Sequence, residues 1–124
     1  MAGELILIVE DNEKNLKLVR DVLQFKGYQT IEAVTGEDGV RLAKERRPAL
    51  VLMDIQLPGI DGITALGQLR ADAATRAIPV IAVTASAMTQ DRQKIMAAGF
   101  DGYQTKPIKV KEFLEAVRAM LDRT

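Results

Sequence analysis

Five times along the chain a short run suited to a strand is followed by a stretch with helical periodicity, and this alternation limits the fold more than any other feature. The runs are Leu5–Val9, Gln29–Ala33, Leu50–Asp54, Pro79–Thr84 and Gly102–Thr105. The first, third and fourth are apolar at nearly every position, as expected of strands buried on both faces. The second is less hydrophobic, which points to an edge. The intervening stretches predict helices over Glu13–Lys26, from Thr35 to just before Pro48, from about Ile63 to Ala71, over Thr89–Ala98 and over Val110–Leu121. Leu16, Val19 and Leu23 fall on one face of the first, and Val40 and Ala43 point inward from the second. Ile63, Leu66 and Leu69 mark the third, and Val110, Phe113 or Leu114, Val117 and Leu121 fall on one face of the last. Thr35 suits an N-cap, with Glu37 and Asp38 in the first turn, and Gly27 and Gly99 suit helix C-termini. Strand–helix units joined by short loops give a parallel sheet with right-handed crossovers and helices on both faces.

Chemistry-bearing residues stand at the carboxyl ends of four of the five runs: Glu10 and Asp11, Asp54, Thr84, and Lys106. The second run ends in nothing reactive. A sheet order of 2-1-3-4-5, the flavodoxin-like doubly wound (βα)5 arrangement, accounts for this. It sets strands 1 and 3 side by side at the switch point, where open α/β sheets place ligand sites, and strand 2 at the edge.

The composition narrows the chemistry. The 124 residues include 17 basic and 17 acidic side chains, which gives no bulk charge suited to nucleic acid or a membrane surface. There is no Cys and no His, so thiol chemistry, thiolate metal sites and the commonest general base are all excluded. The first residues carry no basic stretch, and Leu5–Val9 is too short for a signal peptide or a membrane span, so a cytoplasmic protein is expected.

In the expected sheet order Glu10, Asp11 and Asp54 converge. Two carboxylates about 4 Å apart repel by roughly 4 kcal/mol at an effective dielectric near 20. Either one of them is protonated or a cation sits among them. An all-oxygen ligand set calls for a hard ion, and Mg²⁺ fits best. Lys106 adds a second positive charge and Thr84 a hydroxyl donor. Such a set suits a phosphoryl group, with Asp54 as the in-line nucleophile.

The segments Val9-Glu10-Asp11-Asn12, Met53-Asp54-Ile55-Gln56-Leu57-Pro58, Val83-Thr84-Ala85 and Lys106-Pro107 resemble the receiver domain of two-component response regulators. The resemblance covers essentially the whole chain, with all four motifs in order on the expected strand ends. Within that family it is to the small single-domain receivers of bacterial cell-cycle and polarity signalling.

The resemblance implies that Asp54 is the phosphoacceptor. It implies that Asp11, Asp54 and the backbone carbonyl of Gln56 hold Mg²⁺ directly, with Glu10 acting through metal-bound water. Lys106 would pair with phosphoryl oxygens, next to a cis Lys106–Pro107 bond. Thr84 would move onto the phosphoryl group and Tyr103 would turn inward behind it, remodelling the face of helix 4, strand 5 and helix 5. Gln56 and Ser86 would tune hydrolysis. Glu10 stands where many relatives have Asp, which places its carboxylate one methylene further out.

Plainer roles are available to each residue. Asp54 could cap the following helix, although Pro58-Gly59 separates the two. Glu10 and Asp11 could be helix N-terminal acids, but Asn12 can supply that cap. Thr84, Lys106 and Tyr103 gain weight only from the constellation. Met88, Met96 and Met120 read as packing residues, and Arg46-Arg47 as a solvated helix end.

The chain ends just after the fifth helix, so the expectation is a receiver without an output domain, acting by protein–protein contact as a monomer or weak dimer. The implied partners are a histidine kinase or histidine phosphotransferase as phosphohistidine donor and a downstream protein target, with no direct nucleic-acid contact and no membrane insertion. It is expected to be no enzyme in the turnover sense, only a promoter of its own phosphorylation and dephosphorylation. A phosphorelay intermediate or phosphate sink is the alternative role. A dehalogenase-type phosphatase is disfavoured because Gln56 stands where its general acid should be. A flavodoxin-type cofactor binder is disfavoured because Glu10-Asp11 would repel a phosphate after strand 1.

Overall fold

The computed structural model describes residues 3–85 and 89–123. Strands β1 (Leu5–Val9), β2 (Gln29–Ala33), β3 (Leu50–Asp54), β4 (Val80–Thr84) and β5 (Gly102–Thr105) alternate with helices α1 (Glu13–Phe25), α2 (Gly36–Arg46), α3 (Gly62–Ala71), α4 (Thr89–Ala97) and α5 (Val110–Asp122). The sheet is parallel throughout, in the order β2-β1-β3-β4-β5. This is the flavodoxin-like arrangement expected from the strand ends.

The period of two along each strand sorts the core into two layers. Ile6, Ile8, Leu50 and Leu52 face α1 and α5, where Leu16, Leu23, Phe113 and Val117 are buried. Leu7, Val9, Val51 and Met53 face the other way, onto Val40 and Ala43 of α2 and Ala65, Leu66 and Leu69 of α3. All five residues of β3 are buried, as are all five of β4. β2 is the weakly buried edge. No helix among the described residues is long and apolar enough to cross a membrane.

Capping follows the sequence closely. The Asn12 side chain accepts from the amides of Lys14 and Asn15, Thr35 accepts from Asp38, and Asp61 accepts from Thr64. Gly27 and Gly99 adopt φ of 90° and 110°, the left-handed region that suits glycine after a helix. Arg46 and Arg47 are exposed at the end of α2, as expected.

Two packing expectations fail. Val110 is 44% exposed, because it is the first residue of α5 and lies beyond the layer that Phe113, Val117 and Leu121 complete. Met96 is 40% exposed, whereas Met120 is buried. The cause is the way α4 sits: from Asp91 to Ala97 it buries only Ile95. Ser86 and Met88 lie outside the described residues.

Behind α4, Arg70 donates to the carbonyl of Ile78 at 2.7 Å and to Asp101 at 2.7 Å. Asp101 also accepts the amide of Val80 at 2.8 Å. This staple joins the end of α3 to the starts of β4 and β5, at the pole away from the reactive strand ends.

Candidate functional site

Strand register decides which polar residues meet. Val9 pairs with Met53, Asp54 with Val83, and Thr84 with Thr105. The residues that end or follow β1, β3, β4 and β5 therefore share one rim. Glu10, Asp54 and Thr84 are buried there, at 4%, 5% and 5% exposure, while Asp11 is exposed.

Lys106 ties the rim together. Its Nζ lies 2.7 Å from Asp54 Oδ2 and 2.8 Å from Glu10 Oε1. The other oxygen of Asp54, Oδ1, accepts the amide of Gln56 at 3.0 Å. Glu10 Oε2 accepts the amide of Asn12 at 3.2 Å. The extra methylene of Glu10 is thus accommodated by folding its carboxylate between Asn12 and Lys106. Asn12 and Asp61 cap α1 and α3, so neither Glu10 nor Asp54 is consumed as a helix cap.

Carboxylate oxygens of Glu10, Asp11 and Asp54 lie within 4.8 Å of one another. Three hard oxygen donors from two adjacent strand ends, beside an open cleft of about 760 Å³, fit a hard divalent cation that keeps part of its water shell. Zinc or copper would want imidazole or thiolate, and the chain has neither.

The loop after Asp54 is fixed from both ends. The Gly62 amide donates to the carbonyl of Ile55 at 2.9 Å, and Glu37 of α2 accepts the amide of Ile60 at 3.3 Å. Gly59 has φ of 76° and passes so close to Glu37 that a side chain there would collide with its carboxylate. Lys106–Pro107 is cis, as expected. Tyr103, on β5 opposite Ala82, is half-buried against the layer containing α3, and Arg92 of α4 lies over its ring at 5.6 Å.

Burial raises the Glu10 pKa to about 7, from an ordinary 4.5, with a further push from Asp54; the Lys106 and Asn12 bonds oppose this only in part. Burial also works against the charge on Lys106, but its bonds to Asp54 and Glu10 outweigh that and hold it above the usual lysine value. The Glu10 shift has a stability consequence in metal-free protein. Between about pH 4.5 and 7 the folded state holds a proton that the unfolded chain has released, so stability is full below that window and falls as pH rises through it. With chelator present, unfolding at pH 7.5 should cost on the order of 2 kcal/mol less than at pH 5. Asp21, Asp61 and Asp72 are shifted the other way, to below 3.8, so their losses fall at lower pH. Glu10→Gln should flatten the slope in denaturant titrations, and an unchanged slope would assign it elsewhere.

Glu10, Asp11, Asp54 and Lys106 thus meet as expected, with Gln56 joined through its amide. Thr84 is buried on the same rim and Tyr103 stands on the adjoining strand. Sequence reasoning missed three polar residues that also line the cleft, Asn15, Asp61 and Lys94. Asn15 lay within reach, three residues beyond its cap on the first turn of α1. Lys94 carried no signal, because it sits mid-helix among exposed polar residues.

The response regulator receiver domain model matches residues 6–118. The polar-differentiation response regulator DivK of Brucella anthropi is 47% identical over 116 residues, covering 94% of each chain. That of Brucella ovis is 46% identical over the same share. Among solved structures, the receiver domain of a sensor histidine kinase from Pseudomonas aeruginosa, with a magnesium ion coordinated in its active-site cleft, is 36% identical and superposes with a TM-score of 0.91 over 98% of this chain and 99% of its own. A response regulator from Chloroflexus aurantiacus gives 0.93 at 28% identity, over 97% and 98%. Two-component signalling is therefore the setting of this site, and the chain belongs to the response regulator receiver domain family.

Proposed function

We propose that this chain is a phosphorylation switch whose acceptor is Asp54. The observation that carries the reading is the environment of that carboxylate: buried at a strand end, one oxygen on Lys106, and within 4.8 Å of ligand oxygens of Glu10 and Asp11. The cleft in front of it is open to a donor.

An oxygen of Asp54 attacks the phosphorus of a phosphohistidine on a histidine kinase or phosphotransferase. The new P–O bond forms as the P–N bond breaks, and the departing imidazole takes up a proton from solvent. Mg²⁺ held by Asp11, Asp54 and the carbonyl of Gln56, with Glu10 acting through metal-bound water, would supply positive charge to neutralise the phosphoryl oxygens. The magnesium in the cleft of the Pseudomonas aeruginosa receiver supports the same ion here. Lys106, already within bonding distance of Asp54, supplies the second positive charge. Thr84, buried at the end of β4, would donate its hydroxyl to the phosphoryl group. Tyr103 and the face of α4, β5 and α5 then carry the change to a downstream protein. Gln56, and Ser86 beyond β4, tune hydrolysis. The likeness to DivK supports a receiver acting through protein contacts without an output domain, as a monomer or weak dimer.

Acetyl phosphate with Mg²⁺ should add one phosphoryl group, read by intact mass, and chelation should prevent it. Labelling that proceeds equally with chelator would refute the metal-dependent mechanism.

A further inference from the structure

We propose that Lys94 is a positioning residue at the mouth of the Asp54 cleft, steering and holding the dianionic phosphate of an incoming donor. The inference rests on the phosphoacceptor reading above and adds a residue to it.

Lys94 projects from α4 yet lines the cleft whose floor holds Asp54. Four carboxylates line that cleft, Glu10, Asp11, Asp54 and Asp61, against two lysines, Lys94 and Lys106. Lys106 sits at the floor of the cleft, bridging Glu10 and Asp54 at 2.8 and 2.7 Å. Lys94 forms no ion pair among the described residues and is exposed, so its charge faces the open side. Its field nonetheless reaches the cleft wall at Asp61. The Asp61 carboxyl is held below its ordinary value first by its hydrogen bonds to Thr64, and the Lys94 charge adds to the effect. A dianion entering this cleft must pass four acids, and Lys94 is the cation it meets outside the Lys106 bridge. The nearest charged residues on α4 do not substitute for it: Asp91 carries the opposite charge, and Arg92 lies over the Tyr103 ring at 5.6 Å and does not line the cleft.

One cation set beside both an acidic cluster and an anion path acts with opposite sign on the two ligands. It favours the donor and disfavours a metal ion. A side chain with only a structural role would move both bindings the same way.

The experiment measures two quantities on the same folded protein: the acetyl phosphate concentration giving half-maximal labelling of Asp54, and the Mg²⁺ dissociation constant by calorimetry without donor. In Lys94→Ala the half-saturating donor concentration should rise roughly three- to five-fold with the saturated rate unchanged, while Mg²⁺ binds roughly two-fold tighter, as expected for one charge acting through water. Lys94→Glu should enlarge both changes and Lys94→Arg should restore wild-type values. Both effects should fade at about 1 M salt, where the screening length falls to about 3 Å. Unchanged donor dependence, or donor and Mg²⁺ binding weakened together, would overturn the assignment. If wild-type protein takes no label at all, the phosphoacceptor reading fails instead, and the Mg²⁺ titration alone decides whether the Lys94 field reaches the acids.

Discussion

Asp54→Asn is expected to abolish phosphoryl acceptance, a loss of at least about a thousand-fold, while leaving the fold intact. A neutral amide oxygen is too weak a nucleophile to attack phosphorus. The substitution is nearly isosteric, and the Asn oxygen can still accept the Gln56 amide that Asp54 Oδ1 accepts at 3.0 Å. Lys106 keeps Glu10 at 2.8 Å, so the lysine is not stranded without a counter-charge. Because Asp54 helps to raise the Glu10 pKa, its neutralisation should also bring that pKa down. Intact mass after incubation with acetyl phosphate and Mg²⁺ reads the first effect, and the pH dependence of unfolding in chelator reads the second. Equal labelling of the variant would move the acceptor to another carboxylate.

The second large effect is structural. Gly62→Ala should destabilise the protein by about 2–4 kcal/mol, because backbone atoms stand where the new methyl would go. A Cβ on Gly62 would collide with the carbonyl oxygen of Asp54 and lie 2.9 Å from the Cα of Ile55. Neither atom can rotate aside as a flexible side chain would. Relief requires α3 to back away from the end of β3, which also breaks the Gly62 amide bond to Ile55 at 2.9 Å. The melting temperature should fall by about 10 °C, and labelling of Asp54 should slow with it. Gly67 provides the comparison within the same helix. Nothing lies within 4 Å of its added Cβ, and it is exposed. Gly67→Ala should therefore be neutral or stabilise by about 0.5–1 kcal/mol through helix propensity. A Gly62→Ala protein that melts with wild type would show that the loop after β3 yields easily.

These two glycines mark the limit of what could be read from the chain. Gly62 falls just before the predicted third helix and Gly67 inside it, yet both belong to α3, and only the approach of α3 to the β3 end makes one crowded and the other free. The two exposed apolar residues make the same point. Val110 and Met96 have helical spacing suited to a core, but the depth at which α4 and α5 sit leaves them outside it. By contrast, Leu16, Val19 and Leu23 were placed correctly because a full turn-by-turn stripe admits one inner face.

Local sequence determined the five strands, their helices, the caps at Asn12, Thr35 and Gly27, and the order of the sheet. It did so because strand-end chemistry and hydrophobic period are short-range properties that survive any reasonable packing. It also determined that Glu10, Asp11, Asp54 and Lys106 share a rim, since strand order alone brings them there. Tertiary structure alone decided that Lys106 bridges Glu10 and Asp54, that Glu10 is buried deeply enough to hold a proton near neutral pH, and that Lys94 of α4 reaches the cleft. Those properties depend on distances of a few ångströms between segments far apart in sequence, where a carboxylate's proton and a lysine's partner are set by what the fold presses against them.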